Sequence, residues 1–562
     1  MFPLEATEFY QIFSANRFHT YLLISIANGI LLFFASVKFL LVLQQGGYRG
    51  RRYFKWLGNR ETPYMSRLML LCMLAFLFFC VLNMCFFPII ETIGIINGGS
   101  YIGFASYILF TIVYIKTESS VNAKVPIKKT KRLVRLCITH VMFLSAITFG
   151  MLVLLDYLAF IIGDTVVALL RYSLICIIPI LIPYILFGAY CFNEPFEHMV
   201  RMHYIHSAER KLAEAKIIKI GVTGSYGKTT VKEILKTILS QKYRVLATPS
   251  SYNTPLGIAL TVKNLDSTHD VFIAEMGARC KGDIKELVKI VRPQYGVLTG
   301  VNNQHLETFG SIENTMATKF ELFESLEDNG VGFFSSDNQN SLELMNRFGG
   351  EKYSAGVKGE NNLVNATDIF TDTKGMSFTL NFNGEESVLC STTLLGKHSV
   401  RNICLAAAVA YKIGLTPKEI AVGINRLQAI GHRLELMPNN KNIVIIDDSY
   451  NASIDGVNAA MEVLDTFVGR KIVLTPGLVE LGKDENLANF EMGKTLAKHA
   501  DNVIVIGKHN AVMLINGLVE GGMPKENIKF AKSLNKGNEL LNSFMKEGDV
   551  VLFENDLPDN YN

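Results

Sequence analysis

Apolar residues fall in long unbroken runs over roughly the first 192 positions and in short, spaced runs after them. The runs at 21–43, 68–90, 93–115, 137–162 and 173–191 each match the thickness of a bilayer core. The first is too long for a signal peptide, lacks a small-residue cleavage site, and precedes four more such runs. This pattern predicts an α-helical transmembrane region of about five helices over 1–192. Residues 193–216 set Phe196, Met199, Met202, Tyr204 and Ile205 among many charges. They read as an amphipathic linker helix, lying on the membrane or packed on the protein. From 217 onward the period changes, and short β-rich runs alternate with helical patterns, which predicts parallel α/β sheets. Buried strands are expected at 270–275, 295–301, 443–446, 472–474, 502–506 and 549–553. The fold class is therefore multi-domain: the helical region, a central P-loop α/β domain over 217–430, and a Rossmann-like α/β domain over 431–562.

Composition agrees with a lipid-embedded part. The chain is 49% hydrophobic, with a mean hydropathy of +0.25. A net charge of +4 gives no case for nucleic acid. Arg49, Arg51, Arg52, Lys55, Arg60 and Arg67 follow the first run, Lys124, Lys128, Lys129, Lys131 and Arg132 follow the third, and residues 91–101 hold no Lys or Arg. The positive-inside rule then places the N-terminus outside and everything after 192 in the cytoplasm of a multi-pass plasma-membrane protein. Lys38 reads as a snorkelling side chain, while Asp156 and Arg171 flank a short turn. The nine cysteines form no C-x-x-C pair and read as thiols in a reducing setting.

The sharpest chemistry lies at Thr223-Gly224-Ser225-Tyr226-Gly227-Lys228-Thr229-Thr230. An apolar strand enters a Gly-rich turn, and a helical pattern leaves it through 231–239. Such a turn closes backbone N–H groups on phosphate oxygens, the helix adds its positive end, and Lys228 adds a mobile charge. The Thr229 hydroxyl suits a Mg²⁺ shared with the phosphates. Val222 stands where the strict pattern has its first Gly. Two further strands end in Glu275 and in Asn302-Asn303-Gln304-His305. Ligands of open α/β sheets gather at the carboxyl ends of strands, so Lys228, Thr229, Glu275 and His305 are expected to converge on a nucleotide and its metal. Alone, His305 would be an ordinary loop histidine.

These motifs resemble the Mur ligases, ATP-dependent enzymes that add amino acids to peptidoglycan precursors, and more distantly the folylpolyglutamate synthetases. The nearest branch is similar to the one adding D-alanyl-D-alanine to the muramyl tripeptide. The resemblance rests on the phosphate loop, on Glu275-Met276-Gly277-Ala278 with Gly282-Asp283-Ile284, and on His305-Leu306-Glu307 through Ala317 and Lys319 to Glu321. It extends to Gly396-Lys397-His398 with Asn402, to Gly431-His432-Arg433, and to Asp447-Asp448-Ser449-Tyr450-Asn451. It implies ATP and Mg²⁺ as cofactors. Glu275, His305 and a carbamylated Lys319 would join Thr229 at the metal. His398 and Asn402 would meet the adenine, Arg433 the γ-phosphate and Asp448 the ribose. Lys228, Lys319 and Arg433 would be catalytic. Asn253 to Gly257 occupies the place of an acceptor-side loop, and Asp337-Asn338 that of a further turn.

The implied activity is amide-bond formation through an acyl phosphate on a cell-wall or other envelope precursor, with an amino acid or dipeptide as amine donor. Other envelope-synthesis membrane proteins are possible partners. Thr475-Pro476-Gly477 and Phe553-Glu554-Asn555-Asp556-Leu557-Pro558-Asp559 depart from the family in regions that position the incoming amine. The membrane region replaces the domain that grips UDP, so a lipid-linked acceptor is expected. A polyglutamate-type ligase, an ATP-driven transporter and a non-catalytic nucleotide-binding subunit are the competing readings.

Overall fold

The computed structural model describes residues 15–58, 67–78, 81, 98–119, 127–162, 176–249, 252–302, 309–359, 361–384, 387–429, 431–437, 442–449, 454–479, 481 and 484–555. The chain divides into two compact units, Met1–Val200 and Arg201–Asn562.

The first unit is helical, with helices Ala15–Ala35, Val37–Gln45, Gly50–Leu57, Gly98–Ser119 and Lys131–Ile162. The first expected span is thus two helices, broken at Ser36, whose hydroxyl donates to the Phe33 carbonyl. The fifth span and the linker expected after it form one helix, Ile178–Glu214, with Pro183 and Pro195 inside it. The change near residue 192 from apolar to charged alters what the helix faces, not whether it is helical. Among the described residues, Phe18–Ala35 and Lys131–Leu155 are long and apolar enough to cross a membrane, while Arg67–Phe78 and Ala105–Thr117 are apolar but shorter. Asp164 and Arg171 lie outside the described residues, as does the side chain of Asp156. A polar seam crosses the helices: Tyr107 Oη donates to Asn28, whose amide donates to Thr148. Arg135 forms a two-point ion pair with Glu197.

The second unit holds two sheets. The first contains β1 (Ile218–Thr223), β2 (Val245–Ala247), β3 (Val271–Glu275), β4 (Tyr295–Leu298), β5 (Val331–Ser335), β6 (Glu351–Gly356), β7 (Val364–Asp372), β8 (Gly375–Phe382) and β9 (Val388–Thr392), in the order 2-3-1-4-5-6-7-8-9. Pairing is parallel as far as β7 and antiparallel from β7 to β9. Strand residues alternate between two covered faces, as a parallel sheet requires. Ile220, Val222, Val271 and Ile273 pack with helices Lys228–Leu239 and Lys397–Ile413. Phe272, Ala274 and Leu298 pack on the other face with helices Pro255–Val262, Asp283–Val291 and Ile312–Glu324. Residues 201–214 of the long helix join this second layer through Ile205, Ala208 and Leu212. That end of the expected linker helix is therefore packed on protein.

The second sheet contains β10 (Glu435–Met437), β11 (Val444–Asp448), β12 (Lys471–Thr475), β13 (Asn502–Ile506), β14 (Ile528–Ala531) and β15 (Val550–Glu554), in the order 10-11-15-12-13-14. Only β10 runs antiparallel to its neighbour. β15, last in sequence, inserts between β11 and β12.

Leu212 is 1% exposed. Leu212→Ala should destabilise the second unit by about 2–4 kcal/mol, read as a lower urea midpoint of its tryptic resistance. An unchanged midpoint would mean that the helix end is not docked.

Candidate active site

β1 is flanked by β3 on one side and β4 on the other, so three strand ends open together. The loop that leaves β1 is tightly constrained. Gly224 has φ +152°, and a Cβ there would lie 2.0 Å from Thr299 Oγ1. Gly227 has φ +75°, and its Cβ would lie 3.0 Å from Asn402 Oδ1. The N–H of Ser225 is already used, donating to the Gly300 carbonyl at 2.8 Å. Helix Lys228–Leu239 has no side-chain cap. The N–H groups of Lys228, Thr229 and Thr230 therefore have no acceptor within the helix, and they form the open part of the cradle. Thr223 is fully buried, and its hydroxyl donates to the Met276 carbonyl at 3.0 Å. It ties β1 to β3 and does not point into the cradle.

Lys228 folds back, its ammonium donating to the carbonyls of Gly224 and Ser225 at 2.8 and 3.0 Å. Burial lowers its pKa to about 8, Glu275 opposes the shift and Arg433 adds to it. Glu275 is thus within electrostatic reach of the loop, at the end of β3. It is 2% exposed. Its two oxygens face Lys232 Nζ at 3.3 Å and the Asn253 amide at 3.3 Å. Lys232 is fully buried, one helical turn beyond Lys228, and also meets Glu233 at 3.3 Å. Lys319 enters from helix Ile312–Glu324, 3% exposed, with Phe309 beneath it. Burial, and then the charge of Lys228, lower its pKa to about 7 against the pull of Asp283 and Glu321. Glu321 itself caps helix Asp283–Val291, accepting from the N–H groups of Gly282 and Lys285. His305 lies outside the described residues. Among the described residues, no group of three or more His, Cys, Asp and Glu gathers at a metal-binding distance. The donor set present fits Mg²⁺ nonetheless: one buried carboxylate and one hydroxyl are enough for a small hard ion that takes its other oxygens from phosphate and water.

His398 and Asn402 lie one turn apart on helix Lys397–Ile413, with Asn402 beside Gly227 and the His398 ring against Gly396. Burial, then Arg401 and Arg433, lower the pKa of His398 to about 4, so the ring is neutral. Its Nδ1 is buried without a partner. Tyr226 packs against Gly300, and burial raises its phenol to about 12. Arg433 acts electrostatically on Lys228, His398 and Asp448, which places it among the three. Asp447 accepts from the His432 ring at 2.7 Å. Tyr450, Asn451 and Asp556 lie outside the described residues. Asn338 bonds the backbone of Val301 in both directions and caps helix Gln339–Arg347, so that turn joins the ends of β4 and β5. Asp337 accepts from the N–H groups of Val357 and Lys358. Sequence reasoning missed Lys232, whose position four residues after Lys228 on one helical face was the available signal. It also missed Thr299 and the Asn302–Asp455 bond of 3.2 Å, which no local pattern announces.

A phosphate cradle at the carboxyl end of a central strand of a mostly parallel sheet, followed by a second mostly parallel sheet, defines the class as a nucleotide-using α/β enzyme. The sequence matches the Mur ligase middle domain over residues 222–410 and the Mur ligase, glutamate ligase domain over 432–554. The UDP-N-acetylmuramoyl-tripeptide–D-alanyl-D-alanine ligase of Escherichia coli K12 is 31% identical over 305 residues, 54% of this chain and 67% of that one. The ligase of the same name from Bacillus subtilis 168 is 29% identical, covering 64% and 79%. The MurF ligase of Thermotoga maritima, solved in complex with ADP, superposes with a TM-score of 0.57 at 27% identity, covering 63% and 80%. The chain belongs to the Mur ligase family. It is an ATP-dependent ligase that forms amide bonds, with ATP and Mg²⁺ as cofactors.

Gly224→Ala forces a Cβ onto Thr299 at a φ that L-residues avoid. Nucleotide affinity should fall by about 100-fold, roughly 2.7 kcal/mol, in a fluorescent-ADP titration. Wild-type affinity would mean that this loop is not the cradle.

Proposed function

We propose that the chain joins an amine donor, D-alanyl-D-alanine or a related amino acid or dipeptide, to a peptide carboxylate of an envelope precursor. The observation that supports this best is the buried Glu275, paired with Lys232 and within electrostatic reach of Lys228, beside an uncapped helix start. Such a site is built for a polyphosphate and its cation. Lys228 through Thr230 bind the phosphates, and Thr229, Glu275 and His305 hold the Mg²⁺, with Lys319 as a further ligand. Bound there, the ion draws charge off the phosphates and fixes their orientation. His398 and Asn402 meet the adenine, and Asp448 the sugar. The acceptor carboxylate attacks the γ-phosphorus, ADP leaves, and an acyl phosphate forms. Arg433 and Lys228 offset the charge on the transferring group. The amine, once deprotonated, attacks the acyl carbon and expels phosphate. In this reading residues 217–430 carry the nucleotide and 431–562 close over it, which keeps water from the acyl phosphate.

Lys319 reacts with carbon dioxide as the free amine, releasing one proton and giving a carbamate. Its low pKa leaves much of it as amine near neutral pH. The carbamate turns a cation into an oxygen ligand.

The first unit is a membrane anchor in this proposal, with the ligase part in the cytoplasm. Leu23, Ile30 and Phe34 on the first helix, and Met142 and Leu154 on helix Lys131–Ile162, are more than 45% exposed. Faces of that kind are suited to lipid. The acceptor is then a lipid-linked precursor. Thr475-Pro476-Gly477 favours a second reading, in which the amine donor is an amino acid or a dipeptide other than D-alanyl-D-alanine.

Purified full-length protein with ATP, Mg²⁺, a panel of amines and either UDP-linked or lipid-linked acceptor should release ADP and an amide product of matching mass. Lys228→Ala should release neither. ADP release without any amide would contradict the ligase reading of this site, and turnover on the UDP-linked form alone would remove the lipid-linked acceptor. Under ¹³C-bicarbonate, the wild type should show a carbamate resonance that Lys319→Ala lacks and that fades as pH falls below the amine's pKa. The same resonance in the variant would assign the carbamate elsewhere.

A further inference from the structure

The mechanism leaves one buried acid unused. Glu554 is the last residue of β15, and Asp448, the last of β11, is its direct partner across the parallel pair. Partnered residues of neighbouring strands share a face, and the strands lie about 4.8 Å apart. The chain fixes this register beyond the sheet: the N–H of Asn555 donates to the Asp448 carbonyl at 3.2 Å, and its side chain donates to Gly477 at 2.6 Å. Glu554 is 0% exposed, and among the described residues neither of its oxygens has a hydrogen-bond donor. A buried, ionised and unbonded carboxylate is too costly to persist, so the group is protonated or bonded to a proton holder. Two carboxyls held side by side do not both ionise; they share one proton.

The surroundings agree. Burial and then Asp448 push Glu554 well above the ordinary carboxyl range. Burial raises Asp448 to about 6, with Arg433 and the N–H of Leu434 opposing the rise and Asp447 adding to it. Of the other charged groups around the pair, Asp447 is bonded to His432, Glu435 to the His432 N–H, and Asp455 of the packed helix to Asn302. The β12 partner of Phe553 is Leu474, which brings no charge. Arg433 acts on Asp448, and among the described residues no cation acts on Glu554.

We propose that Glu554 is a positioning residue for the nucleotide: it keeps its proton, donates it to Asp448 across the strand pair, and holds that carboxylate ready to accept from the sugar hydroxyls of ATP. This rests on the reading that Asp448 meets the sugar. The more exposed Asp448 carries the single negative charge. When the shared proton is lost at alkaline pH, the two carboxylates repel and the sugar contact loosens.

The test is ADP binding to the full-length chain, with thermal melting alongside. Glu554→Gln supplies a permanent neutral donor, and Glu554→Leu supplies none. Both the wild type and Glu554→Gln should weaken at alkaline pH as Lys228 loses charge. Between about pH 7 and pH 9 the wild type should lose roughly threefold more affinity than Glu554→Gln, since one unit of titration is worth up to tenfold. Glu554→Leu should bind several-fold more weakly throughout. Carboxyls raised in the folded state contribute stability at low pH that is lost as pH rises through their folded values, so Glu554→Gln should melt above the wild type in alkali and level with it in acid. An alkaline slope in Glu554→Gln equal to that of the wild type, or wild-type affinity in Glu554→Leu, overturns the inference. Asp448→Asn separates the two layers. If it binds ADP normally, the sugar contact itself is wrong and both readings fall. If it binds weakly while Glu554→Gln keeps the wild-type slope, only the role of Glu554 falls.

Discussion

A buried carboxylate that stays ionised at the end of a central strand must have a cation, and the proposed ligase site is organised around that need. Glu275 closes β3, is almost wholly out of solvent, and lies against Lys232 and Asn253. Removing one member of such a pair leaves an uncompensated buried charge, typically costing about 3–5 kcal/mol. Lys228 stands close enough to feel it, Lys319 feels Lys228 in turn, and burial pushes both lysines towards neutrality. Lys228 and Lys232 around one glutamate make a surplus of positive charge in a dry site. In the proposed mechanism a polyphosphate answers that surplus and a divalent ion answers the glutamate, so that the arrangement is preorganised for Mg²⁺–ATP.

The sheet supplies the geometry. β1 lies between β3 and β4, so the cradle, Glu275 and the segment after Leu298 leave the sheet side by side although far apart in sequence. Thr299 and Gly300 brace the loop from β4, and this is why Gly224 and Ser225 have no freedom of their own. In the second sheet β15 arrives last and inserts between β11 and β12. That insertion brings Glu554 beside Asp448, two acids separated by over a hundred residues.

Much of this was legible in the sequence, for physical reasons. The phosphate loop is a local device, with strand, turn and helix contiguous, so its pattern survives in one dimension. The strands at 270–275, 502–506 and 549–553 were legible as short apolar runs because both faces of a parallel sheet are covered. The partners of Glu275 were not. Lys232 looks like any helical lysine until the helix packs and hides it. The continuity of helix Ile178–Glu214 was also missed, because a change of environment along a helix mimics a boundary. The Asp448–Glu554 pair is a product of strand order, which no local pattern carries.

The central claim is that Glu275 exchanges its protein cation for the metal of the nucleotide. A crystal structure with a non-hydrolysable ATP analogue and Mn²⁺, phased on the metal's anomalous signal, tests it directly. The account predicts one Mn²⁺ about 2.1 Å from a Glu275 oxygen and from the Thr229 hydroxyl, with phosphates on the N–H groups of residues 228–230 and Lys232 withdrawn. A metal bound elsewhere, with Glu275 still held by Lys232 and Asn253, would contradict it.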